Sequence, residues 1–460
     1  MSAVISQPTS KPAYKGSTLR TLLAFRGDRL SFLRKLQEDH GDVVRFHIAT
    51  QAVWLLNHPE HIRDVLVVNQ KKFMKGRGIQ MMKQLLGEGL LTSEGEVHLR
   101  QRRLVQPAFH RQRVASYAIS MVQDTSKLRE HWATLPPGEA VEMSQEMMRL
   151  TLVIAGRTLF DADVADEANE IGQALTDAMT VAERIPNPLA GLLALLPLPS
   201  NRRFAKARQH LDDVIYGIIR ERRASNLDRG DFLSMLLLAQ DEEGGTGGMT
   251  DSQVRDEALT IFLAGHETTA TALTWTWYLL SQHPEAEAKL HAELDAVLQG
   301  RLPTFEDLPK LRYTEMVFAE AMRLFPPAWI IGRRALVDHE IDGHKIKSGD
   351  LILMSQYLVQ HDARWFPEPN KFDPERWTPE LKEARPKFSY FPFGGGTRTC
   401  IGEAFAWMEA SLVIATLAQQ WKAKLVPNHP VEPRALITLR SKHGMKMYLE
   451  KRKEMMSDEQ

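Results

Sequence analysis

The chain has 460 residues, and its 58 Lys and Arg balance 58 Asp and Glu, so no global charge draws it to nucleic acid or to an anionic membrane. With 43% hydrophobic and 25% charged residues the composition is that of an ordinary globular protein, which excludes wholesale disorder, collagen and a multi-span membrane protein. A single cysteine, Cys400, forbids an intrachain disulfide or a Cys-rich zinc site and fits a reducing, cytoplasmic location.

Residues 1–27 are Ser-, Pro- and Lys-rich, read as a flexible segment, and lack the apolar stretch of a signal peptide or membrane anchor. The rest, 28–460, reads as a single domain. Helical patterns cover Arg29–His40, Arg111–Leu135, Glu139–Leu159 and Asn201–Arg223. The most apolar segment, Leu189–Pro199, has 11 residues and is too short to cross a bilayer. Asp241–Gly248 reads as a Gly-rich loop, and without a following Lys-Ser/Thr it is no phosphate cradle. Thr250-x-x-Gln253 then makes a capping box and opens a Pro-free pattern that runs to His283-Pro284, roughly 50 Å of helix at about 1.5 Å per residue. From Ala258 to Leu280 that pattern is apolar or small on nearly every side, which marks a helix through the centre of the molecule. Pro284–Leu298 and Arg312–Leu324 continue the helical reading. Strand patterns are confined to Val43–Leu56, Arg333–Ile346, Leu351–Met354 and Ala435–Met447, with turns such as Asp342-Gly343 between them. The fold class is therefore mainly α with small β-sheets.

The only thiol lies in Phe393-Gly-Gly-Gly-Thr-Arg-Thr-Cys400-Ile-Gly402, at the start of an apolar helix over Ala404–Leu417. A helix N-terminus favours thiolate through its dipole and free N–H groups, and the glycines let a flat partner approach the backbone. A buried structural cysteine is the bland alternative, and the surrounding pattern weighs against it. Phe393, Gly396, Arg398, Cys400 and Gly402 fit Phe-x-x-Gly-x-Arg-x-Cys-x-Gly, which resembles the haem-thiolate signature of the cytochrome P450 superfamily. Ala264-Gly-His-Glu-Thr-Thr269, Glu320-x-x-Arg323 and Pro374-Glu-Arg-Trp377 follow in that family's order and spacing. The likeness is to soluble bacterial members with no fused reductase.

The resemblance implies a helix-rich prism with the long helix over haem b, iron protoporphyrin IX, and a small N-terminal β region. Cys400 would be the axial ligand of the iron, with Phe393 packed beside the sulfur and the backbone around Gly402 tuning it. Arg398, Arg333, Arg102 and His98 would hold the propionates; His98 stands where many relatives have Trp. Glu320, Arg323 and Arg376 would form a buried structural network. Ala264 and Gly265 would leave room above the cofactor in a groove where the helix bulges locally. Thr268 would hydrogen-bond dioxygen, and Glu267, a carboxylate in a stretch nearly free of charge, would relay protons. The competing reading makes Thr268 a hydroxyl bonded to its own preceding turn and Glu267 a solvated surface acid.

The function implied is a monooxygenase that inserts one atom of O2 into an apolar organic molecule, with electrons from NAD(P)H through a separate ferredoxin or flavodoxin-type donor and its reductase. Arg100, Arg103 and their neighbours, in a His98–Arg113 stretch with five arginines and no acid, would dock that acidic donor. A peroxide-driven peroxygenase, a redox-neutral haem-thiolate isomerase or dehydratase, and a haem-based gas sensor or carrier are the alternatives; the Glu267-Thr268 pair favours oxygen activation. The pocket would be lined by the Met74–Leu86 loop, Phe262, Ala264, Ala328, Trp329, Ile330, Leu436 and Ile437, with Leu189–Pro199 as an access lid. The substrate expected is terpenoid, carotenoid or fatty-acid-like lipid. Without an Arg–Tyr pair in Val43–Leu56 to clamp a carboxylate, the preference is for a terpenoid or other neutral lipid.

Overall fold

The computed structural model describes residues 14, 16–162, 168–179, 196, 198–225, 227–241 and 247–452. Most of the apolar Leu189–Pro199 segment and residues 242–246 of the Gly-rich loop lie outside them. Among the described residues no helix is long and apolar enough to cross a membrane.

The centre of the fold is the helix Asp251–Gln282, 32 residues long, started by the reciprocal Thr250–Gln253 capping box. It is buried along nearly its whole length and packs most extensively against the helix Met143–Phe160. Helices Arg111–Thr134, Pro199–Ser225, Arg312–Leu324 and Glu403–Ala418 complete the core around it. The molecule is thus mainly helical, with β-structure kept to its margins.

A five-stranded sheet runs in the order Val43–Ile48, Gln51–Leu56, Leu351–Met354, Ile331–Ala335, Phe73–Lys75. Its one parallel contact sets Leu351 opposite Val53, so the N-terminal hairpin is sealed by chain nearly three hundred residues later. That sheet has an apolar cluster of its own, including Trp54, Leu56, Ile352 and Met354. A three-stranded sheet joins Trp421–Leu425, Lys446–Lys451 and Ala140–Glu142. Asp342 and Gly343 turn the hairpin His339–Ile346 with φ of 49° and 74°, the two positive values a tight primed turn requires.

Several sequence expectations are corrected. Thr18–Gly27, inside the segment read as flexible, is a helix capped by the Ser17 hydroxyl. Ala140–Glu142 pairs with the C-terminal strand, so the helix read from Glu139 begins at Met143. The patterns Arg333–Ile346 and Ala435–Met447 resolve into short strands, the first turning at Asp342-Gly343 as the sequence reads, the second broken by a bend between Ala435 and Leu439 that the pattern does not mark.

Candidate active site

The cysteine loop is closed by the Cys400 N–H, which donates to the Phe393 carbonyl at 2.9 Å. Gly394 and Gly396 take left-handed φ of 75° and 69°, and at Gly396 a Cβ would also collide with the Leu66 carbonyl. The Phe393 ring lies 6.0 Å from Trp407, against the main core. Cys400 is exposed, yet protein stands close around its sulfur, and burial pushes the thiol above its ordinary range while the Gly402 N–H opposes this more weakly. Burial thus works against the thiolate that a helix N-terminus would favour.

Glu257 to Leu263 are buried, yet Ala264 in the next position is exposed, and a Cβ on Gly265 would meet nothing within 4 Å. An opening thus reaches the middle of the most buried helix in the protein. Thr268, half-buried one turn further on, donates its hydroxyl to the Ala264 carbonyl at 2.7 Å. Thr269 and Thr274 bond their own preceding turns likewise, and the helix stays α-helical from end to end; the local bulge expected near Ala264 is absent. Glu267 is neither solvated nor unpaired. It is 2% exposed and receives Arg440 Nη2 at 2.6 Å, Arg440 Nε at 2.9 Å and the Thr438 hydroxyl.

Basic side chains converge near the cysteine loop, His98 among them as a neutral imidazole. Burial, with Arg398, Lys75 and Arg102 nearby, holds His98 down to about 3. Burial and Arg398 lower Arg333 to about 10. Lys75, 7% exposed, is lowered to about 7 by burial, Arg398 and Arg333, against the pull of Glu94 and Glu257. Arg398 donates to the Ser93 carbonyl at 3.0 Å and pairs with Glu94, while Arg102 donates to the Thr399 carbonyl at 2.9 Å.

These features fit a haem. The accessible lone thiol suits an iron ligand, the small residues of the central helix leave room for a flat ring, and a cluster of mutually repelling cations suits two carboxylates. Held there, the cofactor would have Cys400 as ligand and His98, Arg102, Arg333 and Arg398 at its propionates.

Away from the cavity, Glu320 and Arg323 are fully buried and joined at 2.8 Å, with Arg376 Nε 3.4 Å from the same carboxylate. Trp377 Nε1 and the Asp373 N–H donate to Glu320 as well, at 2.9 and 3.0 Å. Two pocket assignments are corrected. Phe262 stands about 200° around the helix from Ala264, since each residue turns about 100°, and packs edge-on to Phe160 at 5.6 Å. Trp329, 2% exposed, belongs to the apolar cluster behind the sheet and donates to the Leu436 carbonyl at 2.9 Å. Ile330 packs on that same cluster; Ala328 is half-buried, and Ile437 rests against the main core at the tip of the hairpin Pro433–Ser441.

Sequence reasoning missed Lys75, Arg440, Thr438 and Glu409. Glu409 is 1% exposed on the helix after Cys400, and burial raises its carboxyl to about 8. A charge inside an otherwise apolar helix was the available signal for Glu409. Thr438 and Arg440 lie two apart at the start of the strand Leu439–Ser441, but nothing in their neighbourhood points to Glu267.

The sequence profile of the cytochrome P450 family matches residues 15–446. The chain is 43% identical to cyclooctatin synthase of Streptomyces melanosporofaciens over 413 residues, 89% of each chain. It is 40% identical to cyclooctat-9-en-7-ol 5-monooxygenase of the same organism, over 86% of each chain. To pentalenene oxygenase of Streptomyces avermitilis it is 35% identical, over 89% of this chain and 90% of that one. With a lone exposed thiol in the cysteine loop and an opening at Ala264-Gly265 on the central helix, these matches place the chain in the cytochrome P450 family, as a haem-thiolate monooxygenase.

Proposed function

We propose that this monooxygenase inserts one atom of O2 into a neutral terpenoid, with electrons from NAD(P)H through a separate ferredoxin or flavodoxin-type donor. The observation that carries the substrate class is the pair of relatives named for terpenoid substrates, cyclooctat-9-en-7-ol and pentalenene, at 40% and 35% identity. Arg45, the only arginine of the Val43–Leu56 hairpin, is drawn over the Trp54 ring at 5.6 Å, so no carboxylate clamp is offered there. We assign haem b as the cofactor, because the single thiol leaves none for covalent attachment of the ring.

The haem, when bound, supplies the oxygen-activating chemistry. The chain's own groups do the rest. Ala264 and Gly265 keep bulk away from the ring face. Thr268 donates its proton to the Ala264 carbonyl, which leaves its hydroxyl oxygen able to accept. Glu267 is the nearest acid in sequence, and its charge is balanced by Arg440. Arg103 is exposed and Arg100 half-buried, and the two belong to the basic face proposed to meet an acidic donor.

The test is the absorption spectrum of the purified protein, reduced under carbon monoxide and titrated with terpenoids and fatty acids. A strongly red-shifted Soret band and a low-to-high-spin change with terpenoids are expected. Tight binding of fatty acids without any terpenoid response would overturn the substrate class, and a red-shifted band surviving in Cys400→Ser would overturn the ligand assignment. Reduction by an acidic donor that is indifferent to salt and to Arg100→Glu plus Arg103→Glu would overturn the docking face.

A further inference from the structure

Residues Asp64 to Lys72 take no part in the reading above, yet they are built with care. Asp64–Val68 is a π-helical turn and Gln70–Lys72 a short tight one. A π turn is rare, appears mostly as a single turn, and is frequent at functional sites. This one is fastened from outside: Asp64 accepts Asn69 Nδ2 at 2.6 Å and lies 2.6 Å from His339 Nε2, whose Nδ1 is 3.3 Å from Lys72 Nζ.

The fastened segment presents two oxygens to the cysteine loop. The Leu66 carbonyl fills the volume that a Cβ on Gly396 would occupy, which explains why only glycine stands there. Gln70 Oε1 accepts both donors of Thr397, the backbone N–H at 2.9 Å and the hydroxyl at 2.7 Å. Thr397 precedes Cys400 by three residues, in a loop whose Gly394-Gly-Gly396 run has little stiffness of its own. Arg102 on the Thr399 carbonyl and Arg398 on the Ser93 carbonyl hold the loop just before the sulfur, and the Gln70 pair holds it at the end of the glycine run.

We propose that Gln70 is a positioning residue for Cys400: by pinning Thr397 it fixes the loop that carries the sulfur, and so sets how firmly the thiolate holds the iron and at what potential the centre is reduced. The proposal rests on the haem-thiolate reading. Gln70 supplies an acceptor without charge. A carboxylate in its place keeps the acceptor and adds a negative charge near the thiolate, whereas alanine removes both.

Three measurements on full-length holoprotein test this with Gln70→Ala and Gln70→Glu. The first is amide exchange at Thr397, referred to amides of the central helix so that a change in global stability cancels. Gln70→Ala should speed it roughly five- to tenfold, the worth of one hydrogen bond, and Gln70→Glu should leave it nearly unchanged. The second is the reduced carbon monoxide spectrum in mild guanidinium, where Gln70→Ala should lose the red-shifted band several times faster than the parent and Gln70→Glu should keep it. The third is the reduction potential, which Gln70→Glu should move to more negative values. Unchanged Thr397 exchange in Gln70→Ala overturns the pin. Faster exchange with band stability and potential unmoved in both variants overturns the positioning role. A parent protein without the red-shifted band would instead break the haem-thiolate reading, and Thr397 exchange would still report on the pin.

Discussion

Arg440→Leu is the sharpest test of how the central helix tolerates Glu267. The carboxylate is 2% exposed, and the substitution takes away its 2.6 Å ion pair and its 2.9 Å bond from Nε, leaving only the Thr438 hydroxyl. Breaking a fully buried pair costs about 3–5 kcal/mol, because one charge is left behind without a partner. Arg440 keeps 25% of its side chain in water, so solvent screens part of the interaction and about 2 kcal/mol is expected. That loss lowers the folded-to-unfolded ratio roughly thirtyfold. The assay is urea denaturation of holoprotein, with the parent, Arg440→Leu, Glu267→Gln and the double variant forming a cycle. The coupling energy should come to about 1.5–2 kcal/mol, since the double variant leaves no unpaired charge. Arg440→Lys, which keeps the charge and loses the Nε donor, should fall between parent and Leu. A coupling energy near zero would refute the reasoning and make this an ordinary surface contact.

Glu320→Ala should cost about 4 kcal/mol or more, because it strands the fully buried Arg323 and frees the Trp377 and Asp373 donors at once; loss of soluble holoprotein, or a large drop in denaturation midpoint, checks it. Glu409 titrates near 8 in the folded chain against 4.5 ordinarily, so the folded state holds the extra proton between those values. The stability this contributes is complete below the lower value and is lost as pH rises through the upper one, so Glu409→Gln should gain on the parent in melting temperature between those pH values. A constant difference across that range would exclude a buried neutral acid. Lys75, held near 7 by burial and the neighbouring arginines despite Glu94 and Glu257, should be raised by the propionates, so haem binding takes up a proton and weakens as pH rises above that value. Haem transfer to a globin acceptor measures this; Lys75→Met should flatten the profile, and a flat parent profile would rule the coupling out.

The parts of this protein legible in its sequence are those with local signatures. The capping box and the unbroken apolar run gave the central helix, and the spacing around Cys400 marked the ligand loop, because there a few adjacent residues carry the whole signal. Trp329 misled for the same reason. It follows two prolines in a stretch where the family lines its pocket, but its indole reaches Leu436, more than a hundred residues away, and is buried behind the sheet. Phe262 misled through angle: two residues from Ala264 in sequence is nearly the opposite face of a helix. Arg440 was invisible because a strand of three residues, Leu439–Ser441, announces neither its partner nor its direction.

The central helix has to meet two conflicting demands, and its partners show how they are reconciled. A helix running through the core is most stable when every face is apolar and filled. The proposed oxygen chemistry asks for an opening and an acid on that same helix. The opening is made with the smallest residues, Ala264 and Gly265, so no large side chain loses its packing there. The acid cannot be made small, and no cation on its own helix reaches it among the described residues. Its partner comes from the hairpin Pro433–Ser441, which is itself tied down by Trp275 Nε1 on the Leu439 carbonyl at 2.7 Å and by the Leu439 N–H on Pro327 at 3.0 Å. Trp275 lies two turns beyond Glu267 on the central helix, so that helix also holds the strand that supplies its counter-charge. A change at the hairpin therefore reaches Glu267 by a path that bypasses the cysteine loop, and Arg440→Leu should leave the thiolate spectrum intact while uncoupling electron use from product. If the red-shifted band were lost along with coupling, the two halves of the site would have to be mechanically one, and the separate fastening of the ligand loop by Gln70 would be superfluous.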